Sequence, residues 1–184
     1  MPAVPERCHG RSLTELLLVV TLLGTLALVA VPSLTAQGPE RVELATTEVA
    51  GAIRFARNEA RRSGAEHGVL LDTAAQRLQV YRIDDSGPSP VVTFDVYHPL
   101  DKQRYELSFA TDARYHPVRL DDATFVYQGL ATGQQDIRFL SSGEPYYLDS
   151  STRRMLVSGA VILSDGRHRR QLTVIPGTGR ITWQ

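Results

Sequence analysis

The stretch HGRSLTELLLVVTLLGTLALVAVP, residues 9–32, sets a polar leader ending in Gly10 directly ahead of a long apolar run that carries one acid, Glu15. From Leu16 to Val31 only Thr21, Gly24 and Thr25 are not apolar. Counted on through Pro32 to Leu34, a helix of this length rises nearly ~30 Å, enough to span the hydrocarbon of a bilayer. No A-x-A-like site follows the run, so it does not end like a secretory signal; residues 32–41 lead into a second helical pattern instead. Cys8 precedes the apolar run, which excludes a lipoprotein leader. A carboxylate at the head of a membrane-length helix is costly unless something uses it. In one reading Ser12-Leu13-Thr14-Glu15 is a capping box, the acid reaching back to free amides at the positive end of the helix. In the other, a cation neutralises Glu15 in the apolar phase.

Gly10 followed by RSLTE and an unbroken apolar run resembles the class III signal of type IV prepilins and type II secretion pseudopilins. The resemblance implies that a membrane aspartyl peptidase cuts between Gly10 and Arg11. Glu15 then falls fifth after the cut, where the family's glutamate pairs with the N-terminal amine of a neighbouring subunit. Pro32 falls where many pilins loosen the helix, because proline removes a backbone hydrogen bond and kinks the chain. The family usually carries an N-methylated Phe or Met after the cut; this chain has Arg11.

The 184 residues leave room for one anchor helix and one domain with a single core. Twenty basic side chains balance twenty acidic ones, so no global field recruits nucleic acid or anionic lipid. Locally the balance is uneven. Between Ser150 and Gln184 the cations are Arg153, Arg154, Arg167, Arg169, Arg170 and Arg180 against Asp165 alone, whereas acids outnumber bases between Tyr81 and Phe125. Opposed patches of this kind suit head-to-tail contacts between subunits, or are simply solvated faces. Cys8 is the sole cysteine, so a chain cut after Gly10 has no disulfide.

Beyond Pro32, residues 33–41 read as a flexible joint broken by Gly38 and Pro39. A helix is predicted from about Glu40 to Ser63, with Val42, Val49, Ile53, Ala56 and Ala60 on one stripe and Gly64 as its stop. Arg54, Arg57 and Arg61 recur on another face, read as solvent-exposed cations that complement the helix dipole. Strand-like alternation then begins at HGVLLD and RLQVYRI. Further strands are expected at Val91–Tyr97, Arg104–Ala110, Thr124–Tyr127, Asp136–Leu140, Ala160–Ser164, Gln171–Ile175 and Arg180–Trp183, with 97–103 and 111–122 as loops. The expected class is α+β, a long N-terminal helix packed on an antiparallel sheet.

IRFARNEARRSGAEHGVLL resembles the helix-to-strand junction of the GspH/FimT branch of these proteins. IRFLSSGEPYYL and GAVILSDGRHRRQLTVIPGTGRITW resemble its closing hairpins, with a Phe-x-x-x-Gly turn and a terminal Gly-Arg strand. Residues 84–124 carry little of the likeness.

Sites for chemistry are few. The five histidines show no metal-ligand spacing, Asp84 and Asp85 lack the acidic ladder of a calcium loop, and no serine lies in a nucleophile elbow. Gly177-Thr178-Gly179 lies between two strands, where a hairpin turn rather than a phosphate cradle is expected. No cofactor is expected. Arg167, Arg169, Arg170 and Arg180 are candidates for phosphate contacts, with Trp183 as a stacking aromatic. The FimT-type branch includes DNA receptors for transformation, whose terminal motif usually has a second arginine where Thr182 stands here.

The resemblance therefore implies a non-enzymatic minor pseudopilin with a leader over 1–10, a membrane and filament-core helix over 11–34 and a periplasmic pilin-like domain over 35–184. Its implied partners are the prepilin peptidase, the inner-membrane assembly platform and other pseudopilins or pilins. The alternatives are a DNA-binding type IV minor pilin and a solitary domain on an uncleaved anchor.

Overall fold

The structure, a computed structural model, describes residues 13–22, 38–87 and 89–183. The chain divides into two units, Met1–Gln37 and Gly38–Gln184. In the first, residues 13–22 form helix α1. The second opens with α2 (Gly38–Ser63) and runs through β1 (His67–Asp72), β2 (Arg77–Asp84), β3 (Val91–Thr93), β4 (Glu106–Ser108) and β5 (Arg119–Tyr127). It closes with β6 (Asp136–Phe139), β7 (Pro145–Asp149), β8 (Thr152–Ser164), β9 (Arg169–Val174) and β10 (Ile181–Trp183). The strands form one antiparallel sheet in the order β10-β9-β8-β7-β6-β1-β2-β3, with β4 on β2 and β5 on β8. This is the expected antiparallel domain with a helix.

Gly38 and Pro39 open α2 rather than break the chain ahead of it. Proline is tolerated in a first helical turn, where its missing amide would have had no partner. Glu40 at the start and Arg61 and Arg62 at the end complement the helix dipole. The helix stops where Gly64 turns to φ +74°, its amide donating to the Ala60 carbonyl at 3.1 Å. The buried stripe is Val42, Ala45, Thr46, Val49, Ala50, Ala52, Ile53, Ala56 and Ala60. Thr46 is tolerated there because its hydroxyl donates to the Val42 carbonyl at 2.6 Å. The many alanines let the helix backbone lie close to β1, β2, β6, β8 and β9. Bulk comes from the strands instead: Leu71, Leu78, Leu120, Phe125, Tyr127 and Phe139 are all buried in one cluster. Burying each such side chain stabilises the fold by roughly 1.5–3 kcal/mol.

Four strand expectations are corrected. β2 hosts two partners along one edge, β3 through Arg82–Asp84 and β4 through Arg77–Gln79, so neither extends to the expected length. β5 starts at Arg119, inside the expected 111–122 loop, because a bulge between Leu120 and Asp122 shifts the alternation by one residue. Leu120 and Ala123 can then both face inward. β7 is an additional strand, entered through Pro145 at its first position, where a strand tolerates proline. β8 begins at Thr152 rather than Ala160, its polar start held by pairing with β7 across a Ser150-Ser151 turn in which Ser150 takes φ +57°. The thirteen-residue β8 joins the two halves of the sheet, with β7 along its start and β5 and β9 along its end.

Gly68 lies on β1 opposite Tyr81, whose ring crosses it. A Cβ there would be 2.3 Å from Cζ and from the hydroxyl oxygen of Tyr81 and 2.8 Å from the Ile137 carbonyl. Gly68→Ala is therefore expected to destabilise the domain by about 1–3 kcal/mol despite alanine's better strand propensity. Urea denaturation measures it, and an unchanged midpoint would remove the close-approach argument.

Candidate functional site

Of the residues singled out for processing and assembly, Gly10, Arg11 and Pro32 lie outside the described residues, as does most of the expected membrane helix over 11–34. Among the described residues no helix is long and apolar enough to cross a membrane. Glu15 lies on α1 and is the only ionisable side chain in residues 13–22. Leu13, Leu16, Leu17, Leu18, Val19, Val20 and Leu22 around it are all exposed. The Thr21 hydroxyl donates to the Leu17 and Leu18 carbonyls at 3.0 and 2.9 Å, so its polarity is satisfied within the helix.

The four candidate arginines of the C-terminal part do not form one cluster. Arg167 and Arg169 are exposed at the turn between β8 and β9, and Arg170 is paired with Glu43 of α2 at 3.1 Å. Arg180 lies at the far end of β9, where its carbonyl accepts the Ile175 amide at 2.8 Å. The six residue steps from Arg169 to Ile175 along an extended strand cover roughly 20 Å. The four candidates thus fall into two separate basic regions, one at the turn and one at the start of the last strand.

The second region gains arginines of α2, of which Arg54 and Arg61 are exposed, as the helical periodicity predicts. Arg54 lies over the Trp183 ring, 4.9 Å from its centroid. Arg57 is half-buried and donates from Nε to the Gly143 carbonyl at 3.3 Å. The Arg61 stem packs beside Gly143, and Gly179 sits so close to Phe139, Arg57 and the Gly143 carbonyl that a Cβ would meet them at 2.9–3.2 Å. The Phe-x-x-x-Gly turn and the terminal Gly-Arg strand thus both close on one helix face, with Gly143 at φ +86° and Gly179 at φ +62°. The signal was present in the i, i+3, i+7 arginines and the two glycine turns, but nothing in the sequence joined them.

Several acids of the middle segment are held in ion pairs. Arg82 holds Asp95 through two 2.9 Å bonds, chiefly by this hydrogen bonding, and keeps its carboxyl down at about 2. Arg114 pairs with Asp112, and Arg77 with Glu106 at 3.7 Å. The segment keeps its excess of acids, but these pairs leave fewer of them free for docking.

The sheet also holds charged groups in place. Tyr81 donates to Asp136, which pairs with Arg138 at 3.1 Å. Burial raises the Asp136 carboxyl above the usual range, with Tyr81 and Arg138 opposing that rise. Nearby, Tyr146 donates to Glu66, which also binds Arg153 at 2.9 Å, at the edge of a cavity of about 750 Å³. Among the described residues no group of His, Cys, Asp and Glu side chains could hold a metal ion.

Two solved structures share this arrangement of one helix on an antiparallel sheet. Both are of the minor pseudopilin EpsH from the type II secretion system of Vibrio cholerae. One aligns at TM-score 0.50 and 15% identity over 78% of this chain and 96% of that chain. The other aligns at TM-score 0.50 and 14% identity over 79% and 94%. The fold is that of a GspH-like pilin. No family model matches the sequence, and no curated protein gives a significant match. In this GspH-like head the best-built polar feature is the β8–β9 turn. Asp165 accepts the Arg167 and His168 amides at 2.8 and 2.6 Å and lies 3.0 Å from His168 Nδ1.

These bonds, the His168 amide foremost, hold the Asp165 carboxyl well below the usual range. A depressed folded-state pKa means stability that is complete above the unfolded value, about 4, and lost as pH falls further. The stability gap between wild type and Asp165→Ala is expected to be constant above about pH 5 and to shrink below about pH 4. Urea titrations across this range test it; a gap independent of pH would refute the assignment.

Proposed function

We propose that the chain is a GspH-like minor pseudopilin of a type II secretion system. It is made as a prepilin in the inner membrane, cut between Gly10 and Arg11, and assembled with other pseudopilins into a pseudopilus for protein secretion. The observation that carries the reading is the fold of the head, which follows that of EpsH over nearly the whole of that chain. The N-terminal sequence supports it independently, since Gly10, Glu15 and Pro32 stand in the register of a prepilin leader and pilin helix. In this role the apolar run over 11–34 first anchors the subunit, with its head in the periplasm, and later packs in the filament core. Exposed leucines and valines on α1 suit both environments. Glu15 pairs with the free amine of a neighbouring subunit, an arrangement that removes the cost of a lone carboxylate in an apolar phase. The prepilin peptidase and the assembly platform are the partners that this route requires. The contribution is structural rather than catalytic. The alternative reading as a DNA-binding minor pilin would use two separate arginine regions, since Arg180 is remote from Arg167 and Arg169.

N-terminal sequencing of the protein from cells with and without prepilin peptidase is expected to give Arg11 in the first case and Met1 in the second. Met1 in both would exclude the pilin reading. Glu15→Ala is expected to leave cleavage intact and to lower incorporation into filaments by about tenfold or more, the loss matching an interaction of ~1.4 kcal/mol. Normal incorporation of that variant would leave the capping role as the explanation of Glu15.

A further inference from the structure

We propose that the turn between β8 and β9 is a contact surface for anionic phospholipid headgroups, used while the subunit is anchored in the membrane. The inference rests on the anchor reading of residues 11–34.

The turn is arranged so that positive charge faces outward. Its one carboxylate, Asp165, is occupied by the amides and imidazole described above, and its side chain is only 5% exposed. Arg170 is engaged with Glu43. Arg167 and Arg169 remain exposed, and neither makes a side-chain hydrogen bond or ion pair among the described residues. Arg119 joins them: it pairs with Ser164 on β8, which pairs with Arg169 on β9. The two arginines thus start two strand spacings apart, roughly 10 Å. An exposed acid beside them is Asp121, bonded to the Ser164 hydroxyl. Arginine forks match phosphate oxygens in geometry as well as charge.

Chain length sets where this surface operates. A Cβ on Gly38 would lie 2.6 Å from Asp165 Oδ2 and 3.3 Å from His168 Nδ1, so the turn abuts the first residue of α2. The apolar run ends at Leu34, and the four residue steps from Leu34 to Gly38 reach at most about 14 Å. With the run in a bilayer, Gly38 cannot leave the zone made of the headgroup layer and roughly the first ~8 Å Debye length beyond it. Basic side chains held in that zone are attracted to anionic lipid. Arg180 and the arginines of α2 from Arg54 onward lie farther along the domain and have no such tether.

The test uses the full-length chain carrying Cys8→Ser and Gln171→Cys, with a fluorophore on the introduced thiol, which replaces an exposed side chain of β9. The protein is reconstituted into phosphatidylcholine vesicles with or without phosphatidylglycerol, each containing a lipid with a headgroup quencher. Several-fold stronger quenching is expected in the anionic vesicles, lost on adding Arg167→Glu and Arg169→Glu, and lost for the unaltered turn in high salt. Equal quenching in both vesicles, with the protein floating with both, would overturn the lipid contact and leave the anchor standing. A chain that floats with neither would overturn the anchor and the contact together. Quenching abolished by an added oligonucleotide would reassign the turn to nucleic acid.

Discussion

The head depends on how closely α2 can lie against the sheet. Ala45, Ala50, Ala52, Ala56 and Ala60 are five of the nine buried residues of the helix, with Val42, Val49 and Ile53 as its larger apolar side chains. The large aromatic and aliphatic side chains on the strands fill the space. A leucine at any of these alanines would push the helix outward and open the core along its length, because well-packed interiors tolerate added volume poorly. The same closeness brings Arg57 within reach of the Gly143 carbonyl and Gly38 against Asp165. Both ends of the hairpin system are thereby tied to one helix.

The two ties have different physical characters. At the Gly143 and Gly179 end the contact is steric: glycines accept positive φ and leave room for the arginine stem that lies between them. At the Gly38 end it is polar, with a carboxylate folded onto its own turn and Arg170 reaching Glu43. Exposed ion pairs contribute little by themselves. The geometry of the β8–β9 turn therefore depends more on the Asp165 bonds than on the Arg170 pair, and it is those bonds that leave Arg167 and Arg169 facing outward.

Much of this architecture was legible in the sequence because it follows period and punctuation. The α2 stripe, its stop at Gly64 and the strands β1, β2, β6 and β9 come from regular alternation between clear turns. What escaped was everything that breaks the period. The bulge in β5 moves the inward face from Leu120 to Ala123, β7 begins at a proline, and the first residues of β8 are polar because pairing with β7, not burial, makes them a strand. The distances among the candidate arginines follow from the same strands. Residues 167, 169, 170 and 180 are near in sequence, but an extended strand lies between the turn and Arg180, and sequence proximity along a strand is spatial separation. Conversely, Arg57, Gly143 and Gly179 are remote in sequence and meet in space.

The separation of the basic residues bears on how such a subunit works. A head whose charges were gathered at one point would have one kind of partner. Here one set lies beside the residue at which the apolar segment leads into the domain, and the other lies with Trp183 on the closing strand, further along α2. If the subunit works as proposed, leaving the membrane for a filament would exchange lipid phosphates for protein surfaces around the first set. Attraction between the turn and anionic lipid would then oppose extraction, and the contacts proposed for the filament, Glu15 with a neighbouring amine among them, would have to exceed it. The strength of that opposition would scale with the number of arginines free at the turn, which Glu43 limits by pairing with Arg170.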